Sequence, residues 1–344
     1  NKYSKPCKNK RSHPLKPRNK AMKDNQQPLA IIYSDLYLNW LLGAGDGSHP
    51  TNPVRAKLAM ELLINALGNQ VKIVDPTDPS KEESDRQALA ATHDPDYIKW
   101  IQSGNSSEWY GTNPVMGETA YEMFKGTIRA VELILSGQVK VAFNPQGAKH
   151  HAMYGKSSGF CVYNDMAYAA MELQKAGLKV LYLDWDIHAG DGVAHMLKGK
   201  GIPCISIHNG GIYPSDSWLQ SSEFEYHHPE EDIYNFNVRN GDGDEVFKKA
   251  IDGAKKIIDE YAPDVILVAA GADGHEGANA IGVDSNYTAA GFKYAAEMVA
   301  EMANKHSQGR AIIGGAGGYQ PLKETPETWA LVVETIYKRV TEEK

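Results

Sequence analysis

The chain has few cysteines and no long apolar run. Its three cysteines, Cys7, Cys161 and Cys204, are far apart and form no CxxC pair. This argues against a disulfide scaffold or a thiolate zinc site, and it fits a reducing cytoplasm. No apolar stretch approaches the roughly 20 residues of a membrane-spanning helix, and the first residues lack the apolar core of a signal peptide. We therefore expect a soluble cytoplasmic protein with no membrane partner.

Positive charge is scarce outside the first 27 residues. That segment holds nine of the 36 Lys and Arg residues but one of the 43 Asp and Glu residues, which leaves a net charge of −15 on the remainder. An acidic body repels nucleic acid, so we expect no nucleic-acid partner for it. We expect residues 1–27 to be a basic, disordered leader that could contact an anionic partner, and residues 28–344 to form the folded domain.

Short apolar segments alternate with helical patterns along that domain. Strands are predicted at 140–145, 179–185, 202–208, 264–271 and 310–316. Helices are predicted at 52–68, around 124–135, and at 164–177, 244–262, 288–305 and 325–340. This alternation predicts one α/β domain, in which a mostly parallel sheet is covered by helices on both faces.

Polar residues and glycines follow four of the predicted strands. The segments are "QGAKHHA", "DWDIHAGDG", "GADGHEG" and "GGAGGYQ", in chain order. In open α/β sheets, ligands bind beyond the carboxyl ends of the strands. The clustering of polar groups at four such ends therefore indicates a functional site more strongly than any one segment does.

The segment "DWDIHAGDG" contains three carboxylates and an imidazole. Alternation along an extended strand would point Asp184, Asp186 and His188 to one side. Asp186 and His188 can bind one divalent ion, with Asp273 as the third ligand, which leaves positions open for water and substrate. The alternative is a local hydrogen bond between Asp186 and His188. The four polar strand ends together favour a metal ion, and these ligand types suit zinc and iron(II) alike.

The segment "KHH" supplies adjacent imidazoles from His150 and His151. They can serve as general base and general acid if a carboxylate orients each one, and Asp184 and Asp191 are available for this. A second pair at 227–228 follows no predicted strand and has no glycines around it, so we leave it out of the site.

The run "GGAGGYQ" ends near Tyr319, at a point where glycines let the backbone approach closely. A phenol there can donate a hydrogen bond to an oxyanion that develops beside a metal. Taken alone, a packed tyrosine in a glycine-rich turn would be the simpler interpretation.

These segments together resemble the zinc-dependent histone deacetylase superfamily, which includes acetoin-utilisation-type and acetylpolyamine amidohydrolase relatives. The matching stretches are "GDGSHPTNPVRAKL", "THDPDYI", "GAKHHAMYGKSSGFCVYND", "DWDIHAGDGV", "SIHNGGIYP", "GAD" and "GGAGGYQ", in the family's order. The stretches "SGFCVYND" and "GDGV" resemble class I members of this superfamily most. The resemblance implies the arginase/deacetylase fold, with about eight parallel strands, for a catalytic domain over 28–344.

The resemblance also implies a role for each candidate residue. The zinc ligands would be Asp186, His188 and Asp273. The catalytic groups would be His150, His151, Asp184, Asp191 and Tyr319. A narrow substrate tunnel would be lined by Gly159, Phe160 and Tyr213. A structural potassium ion would be bound by Asp184, Ser206 and Ile207, and Arg55 would line an internal channel behind the metal.

Three departures from the family pattern stand out. The second histidine that usually follows the ligand histidine is Ala189 here. Thr112 stands where many members place an acidic residue that grips the substrate backbone, so we expect little preference among peptide sequences unless Asn113 or the long loop at 274–283 restores the grip. The third departure is the segment "GADGHEGANAIGV", which is longer than usual and contains His275 and Glu276.

The predicted activity is hydrolysis of an acetyl or acyl amide, such as acetyl-lysine, to a free amine and the acid. An acetylpolyamine or other small-molecule amidohydrolase is the main alternative. A manganese ureohydrolase is disfavoured because such sites need DxHxD, whereas this chain reads "DIHAGD". A non-catalytic acyl-lysine binder is disfavoured by the complete set of catalytic residue types. The sequence indicates neither the oligomeric state nor the physiological substrate.

Overall fold

A computed structural model describes residues 27–278 and 284–342. Its strands are β1 (Leu29–Ile32), β2 (Val71–Val74), β3 (Val141–Asn144), β4 (Val180–Asp184), β5 (Cys204–Asn209), β6 (Glu225–His228), β7 (Ile233–Val238), β8 (Val265–Ala269) and β9 (Ala311–Gly314). They form one sheet in the order β2-β1-β3-β9-β8-β4-β5-β7-β6. Eight strands run parallel and β6 pairs antiparallel with β7 at one edge, which confirms the predicted, mostly parallel sheet.

Helices connect the parallel strands and cover the sheet. They are α1 (Val54–Leu67), α2 (Glu82–Thr92), α3 (Pro95–Gln102), α4 (Pro114–Leu135), α5 (Asp165–Lys175), α6 (Asp191–Leu197), α7 (Asp244–Tyr261), α8 (Ala289–His306) and α9 (Glu324–Thr341). Side-chain caps define several of their starts: Asn164 accepts a hydrogen bond from the Ala167 N–H and begins α5. The core forms where apolar helix faces pack onto the sheet. Strands β4 and β8, for example, are buried along their whole length.

Four adjacent strands position the candidate site. β3, β9, β8 and β4 are neighbours at the centre of the sheet, and all are parallel. Their last residues are in register, since Asn144 is opposite Gly314 and Ala269 is opposite both Gly314 and Asp184. The four polar segments noted in the sequence therefore leave the sheet side by side.

The folded part begins by residue 27. The Tyr337 hydroxyl donates to the Gln27 carbonyl at 3.1 Å, and the Gln27 side chain donates to the Gly137 carbonyl. The predicted basic leader lies outside the described residues apart from Gln27, so its disorder stays a prediction. Within the described part of the chain, no helix is long and apolar enough to cross a membrane.

Candidate active site

Asp186, His188 and Asp273 meet beyond the ends of β4 and β8. His188 Nδ1 lies 2.9 Å from Asp273 Oδ2 and 3.1 Å from Asp186 Oδ1. One ligand atom from each residue lies within 4.8 Å of the other two, and all three residues are buried. The sequence argument from strand alternation is wrong in detail, because β4 ends at Asp184 and the two later residues lie in the loop that follows it.

Backbone groups fix the two carboxylates of this triad. The Gly317 N–H donates to Asp186 Oδ2 at 2.6 Å, and the Ile187 N–H donates to Asp273 Oδ1 at 3.0 Å. A side chain at position 317 would not fit, since its Cβ would lie 2.5 Å from Asp186 Oδ2 and from Asp273 Oδ2. The glycine-rich segment after β9 thus closes tightly over the triad.

The triad fits a divalent metal ion. Two carboxylates and one imidazole, held close together, match the ligand types of zinc and iron(II). Among the residues that the structure describes, no Lys or Arg nitrogen lies within 4 Å of the Asp186 or Asp273 carboxylate. Burial of two adjacent carboxylates is costly, and a bound cation would compensate both.

His150 and His151 lie beside this triad, and each pairs with its own carboxylate. His150 Nδ1 is 2.7 Å from Asp184 Oδ2, and His151 Nδ1 is 2.7 Å from Asp191 Oδ1. The ring centroids of the pair are 4.0 Å apart, and His150 Nε2 lies 3.8 Å from Asp186 Oδ1. The structure therefore brings the predicted histidines, their predicted carboxylates and the triad into one buried cluster.

The environment separates the pKa values of the two imidazoles. For His150, burial lowers the pKa, but the negative charges of Asp184 and Asp186 outweigh it and raise the pKa to about 9. For His151, burial and the neighbouring His150 lower the pKa to about 4. A cation at the triad would lower both values further by repulsion. A pair of titratable groups with separated pKa values can divide the roles of acid and base.

Tyr319 lies close to His188 of the triad. Its ring centroid is 6.3 Å from that of His188 and 6.5 Å from that of Phe160. Burial, together with Asp273 and Asp186, raises the pKa of the Tyr319 phenol well above its usual range. The phenol therefore keeps its proton and can donate a hydrogen bond.

Gly159, Phe160 and Tyr213 form walls next to the histidine pair. A Cβ on Gly159 would lie 2.5 Å from His151 Cδ2, and its φ of 54° also favours glycine. The Tyr213 ring centroid is 5.0 Å from that of His151, and the residue is 44% exposed, so Tyr213 reaches from the site to the surface. The Tyr213 hydroxyl also contacts the Ser158 hydroxyl.

Glu108 is a residue of this wall that the sequence analysis missed. Its Oε2 accepts a hydrogen bond from the Phe160 N–H at 2.7 Å. This bond holds Phe160 in the left-handed backbone region, at φ 65°, which non-glycine residues rarely adopt. Burial raises the pKa of Glu108. The residue lies in an irregular loop before α4, where no spacing pattern could have revealed it.

Thr112 and Asn113, two of the predicted rim positions, make local hydrogen bonds. The Thr112 hydroxyl donates to the Asn105 side chain at 3.2 Å, and Asn113 caps the start of α4. Of the loop at 274–283, residues 279–283 lie outside the described residues. Ala189 is buried, and its carbonyl accepts a hydrogen bond from the Asp191 N–H at 2.8 Å.

The predicted second cation site involves strands β4 and β5. Asp184 lies opposite Ser206 in the sheet, and Ile207 follows on β5. The Asp184 carboxylate is already used, since Oδ1 accepts from the Asp186 N–H at 2.9 Å and Oδ2 accepts from the Tyr182 hydroxyl at 2.6 Å. Potassium binding at this position stays a prediction.

Arg55 reaches the site from α1. It is 3% exposed, and its Nη1 donates to the Gly318 carbonyl at 2.6 Å. It also lines a small cavity of about 30 Å³ together with His150, Asp186 and Tyr319. The role of Arg55 in a channel behind the metal stays a prediction.

Comparison with known proteins adds independent findings. Residues 49–336 match the family described as the histone deacetylase domain. The chain is 30% identical to the acetoin utilization protein AcuC of Bacillus subtilis (strain 168) over 325 residues, which cover 88% of this chain and 80% of that protein. It is 28% identical to the acetoin utilization protein AcuC of Staphylococcus aureus (strain MSSA476) over 332 residues, which cover 90% and 82% of the two chains.

The family match spans the four strand ends described above, and with these relatives it supports a deacetylase activity. The resemblance inferred from the sequence motifs is thereby confirmed. This chain belongs to the histone deacetylase family.

Proposed function

We propose that this protein is a metal-dependent deacylase that hydrolyses the acetyl amide of an extended aliphatic amine, with acetyl-lysine as the leading substrate class. The observation that carries the proposal is the buried histidine pair. Each imidazole of His150 and His151 has a carboxylate at 2.7 Å, and His150 lies against the Asp186, His188 and Asp273 triad. A non-catalytic acyl-lysine pocket would have no need of two oriented imidazoles.

Asp186, His188 and Asp273 would hold the ion, with zinc as the leading candidate and iron(II) as the alternative. Such an ion supplies Lewis-acid polarisation of the amide carbonyl and lowers the pKa of a bound water. The ligand chemistry does not separate the two metals, because both accept carboxylate oxygen and imidazole nitrogen.

The protein's own residues manage the protons of the reaction. His150 and His151, oriented by Asp184 and Asp191, would take a proton from the attacking water and return one to the departing nitrogen. The C–N bond breaks, the water oxygen stays on the carbonyl carbon, and the products are acetate and a free amine. The Tyr319 phenol would donate to the carbonyl oxygen as negative charge develops there.

Substrate shape follows from the walls of the site. Gly159, Phe160 and Tyr213 offer apolar surface beside the histidine pair and suit a straight aliphatic chain. At the described rim position 112, Thr112 is uncharged and bonded to Asn105, so this position supplies no carboxylate to grip a peptide backbone. We therefore propose broad acceptance of acetyl-lysine peptides. Acetylpolyamines are the second candidate, favoured by the acidic body.

Two further features belong to this proposal. A structural potassium ion would bind near Asp184, Ser206 and Ile207, and Arg55 would line a channel behind the metal. A cytoplasmic location remains the expectation from the low cysteine content.

A substrate panel at equal metal loading tests the proposal. A blocked acetyl-lysine amide, several acetyl-lysine peptides and acetylated polyamines would be compared by kcat/KM. We expect turnover of the blocked amide and less than tenfold variation among the peptides. Saturable binding of acetyl-lysine without turnover of any member would identify a non-catalytic binder instead. A strong preference for polyamines would move the assignment to the second candidate.

A further inference from the structure

Tyr213, a wall of the site, lies in a loop that has no regular secondary structure. Residues 210–220 form no helix or strand between β5 and β6, and Tyr213 is half-exposed. Its ring centroid nevertheless lies 5.0 Å from that of His151 and 6.3 Å from that of His188. The contacts between this loop and its surroundings therefore determine where the ring lies.

One of these contacts is a pair formed by Asp216 and His195. Asp216 Oδ1 accepts a hydrogen bond from the Trp218 N–H at 2.9 Å, which orders the loop itself. Asp216 Oδ2 lies 2.7 Å from His195 Nε2 on α6. The His195 ring also packs on Trp218, with the ring centroids 4.9 Å apart. His195 therefore holds the loop of Tyr213 at two points.

The helix that carries His195 is itself fixed to the histidine pair. α6 begins at Asp191, whose Oδ1 lies 2.7 Å from His151 Nδ1. A backbone N–H of the same helix donates to the His150 carbonyl at 3.1 Å. His195 follows Asp191 by about one helical turn. One short helix thus holds His151 at its first residue and the loop at 210–220 one turn later.

We propose that His195 and Asp216 are positioning residues for the tunnel wall. Their contact fixes Tyr213 against His151, and with it the fit of an aliphatic chain to this wall. A wall that is already in place favours binding, because fewer side chains have to be ordered when the chain enters. That the aliphatic chain belongs to an amide substrate rests on the proposed function, whereas the hold of His195 on the wall does not.

A second His–Asp pair of the same geometry provides a matched control. His306 Nε2 lies 2.7 Å from Asp259 Oδ1, and this contact joins α8 to α7. None of the candidate site residues lies on either of these helices. Removal of the His306 imidazole therefore measures the effect of losing an ordinary pair between two helices.

Binding of two hydroxamates to the metal-loaded protein tests the role. Acetohydroxamic acid and hexanohydroxamic acid share the group that coordinates a metal ion and differ in the apolar chain, so the ratio of their dissociation constants reports contact with the walls. His195→Ala should lower the preference for the longer compound by about three- to tenfold, the scale of one side chain that is no longer held in place. His195→Gln, which keeps a donor for Asp216, should retain most of the preference. His306→Ala should change it less than about twofold.

A double-mutant cycle shows whether His195 acts through Tyr213. In a Tyr213→Ala background, His195→Ala should have less than about a twofold further effect, because the wall is already missing. Effects that add in full would overturn the proposal, as would an unchanged preference in His195→Ala or the absence of any preference in the parent protein. His195→Ser gives the same test if the alanine variant does not fold.

Turnover separates this role from the proposed function. With a blocked acetyl-lysine amide, His195→Ala should raise KM by about three- to tenfold and leave kcat within about twofold. A preference for the longer hydroxamate that depends on His195, without turnover of any amide, would leave the positioning role standing and remove the proposed function. Amide turnover with a KM that does not depend on His195 would do the reverse.

Discussion

Two His–His pairs in one chain have very different surroundings. His150 and His151 lie in a turn after β3, where their rings face one cluster and each has a carboxylate at 2.7 Å. His227 and His228 lie in β6 at the sheet edge, where successive side chains point to opposite faces. Their nearest carboxylate oxygens are 3.7 and 4.0 Å away, at an exposed position.

The partners of the edge pair are those of a packed surface. The Asn235 N–H donates to His227 Nδ1, and the His228 ring stacks on Trp218. The comparison shows that a His–His dipeptide by itself does not indicate a catalytic site. A turn at the carboxyl end of a central strand brings two imidazoles together and supplies buried carboxylates, whereas an edge strand separates them.

The largest expected effect comes from removing one histidine of each pair. His151→Ala should lower kcat by roughly 10²–10⁴, the usual contribution of general acid–base catalysis. His228→Ala should change kcat less than about threefold, because its ring only stacks on Trp218 and bonds to the Trp218 carbonyl at the sheet edge. Steady-state kinetics on a blocked acetyl-lysine amide, at equal metal content, measure both. Equal losses in the two variants would show that the two pairs do not differ in function.

A tyrosine near each pair extends the comparison. Tyr319→Phe should retain the metal and lower kcat by roughly 10²–10³, the scale for loss of one oxyanion donor. Tyr226→Phe, next to the edge pair, should have no measurable effect on kcat. Metal analysis accompanies the kinetics, and loss of the ion in Tyr319→Phe would contradict a role as hydrogen-bond donor.

The carboxylates that accompany the histidines provide a third contrast. Asp191→Asn should lower kcat by roughly 10- to 150-fold, because a charged hydrogen bond to His151 is worth about 1.5–3 kcal/mol. Glu225→Gln removes the carboxylate nearest to His227 and should leave kcat within about twofold. An unaffected kcat in Asp191→Asn would mean that Asp191 does not orient His151.

The smallest effect is expected at Glu108, which acts on the site through Phe160. Glu108→Ala removes the acceptor for the Phe160 N–H and should lower kcat/KM by about tenfold, largely through KM, since the tunnel wall loses its support. The exposed Glu118 of α4 gives the control variant Glu118→Ala, with an effect below twofold. A decrease confined to kcat would argue that Glu108 serves the chemistry rather than the tunnel wall.

Much of the fold was predictable because the central strands are continuous apolar runs. All five predicted strands and all six predicted helices are present. Most ends are shifted by a few residues, but the helix predicted around 124–135 begins much earlier, at Pro114. The other strands lack that signal: β2 is half exposed at the sheet edge, and β6 carries polar residues on an antiparallel edge. β1 has four buried residues, too few to distinguish a strand from other short apolar segments.

The site could be predicted where reactive polar residues directly follow a central strand. Asp186, His188 and Asp273 could be grouped because three polar residues follow two central strands. Glu108 could not be assigned in the same way, because its surroundings depend on loops that meet only in the folded chain. An isolated glutamate in a loop looks like an ordinary surface residue in the sequence.

The metal content of His188→Ala tests the central claim most directly, that the four strand ends build a metal-dependent hydrolytic site. Elemental analysis of the purified variant would be compared with the parent protein and with His195→Ala, which changes an exposed histidine of α6. We predict one zinc or iron ion per chain in the parent and in His195→Ala, and little bound metal and no amide hydrolysis in His188→Ala. One ion per chain in His188→Ala would contradict the assignment of the triad.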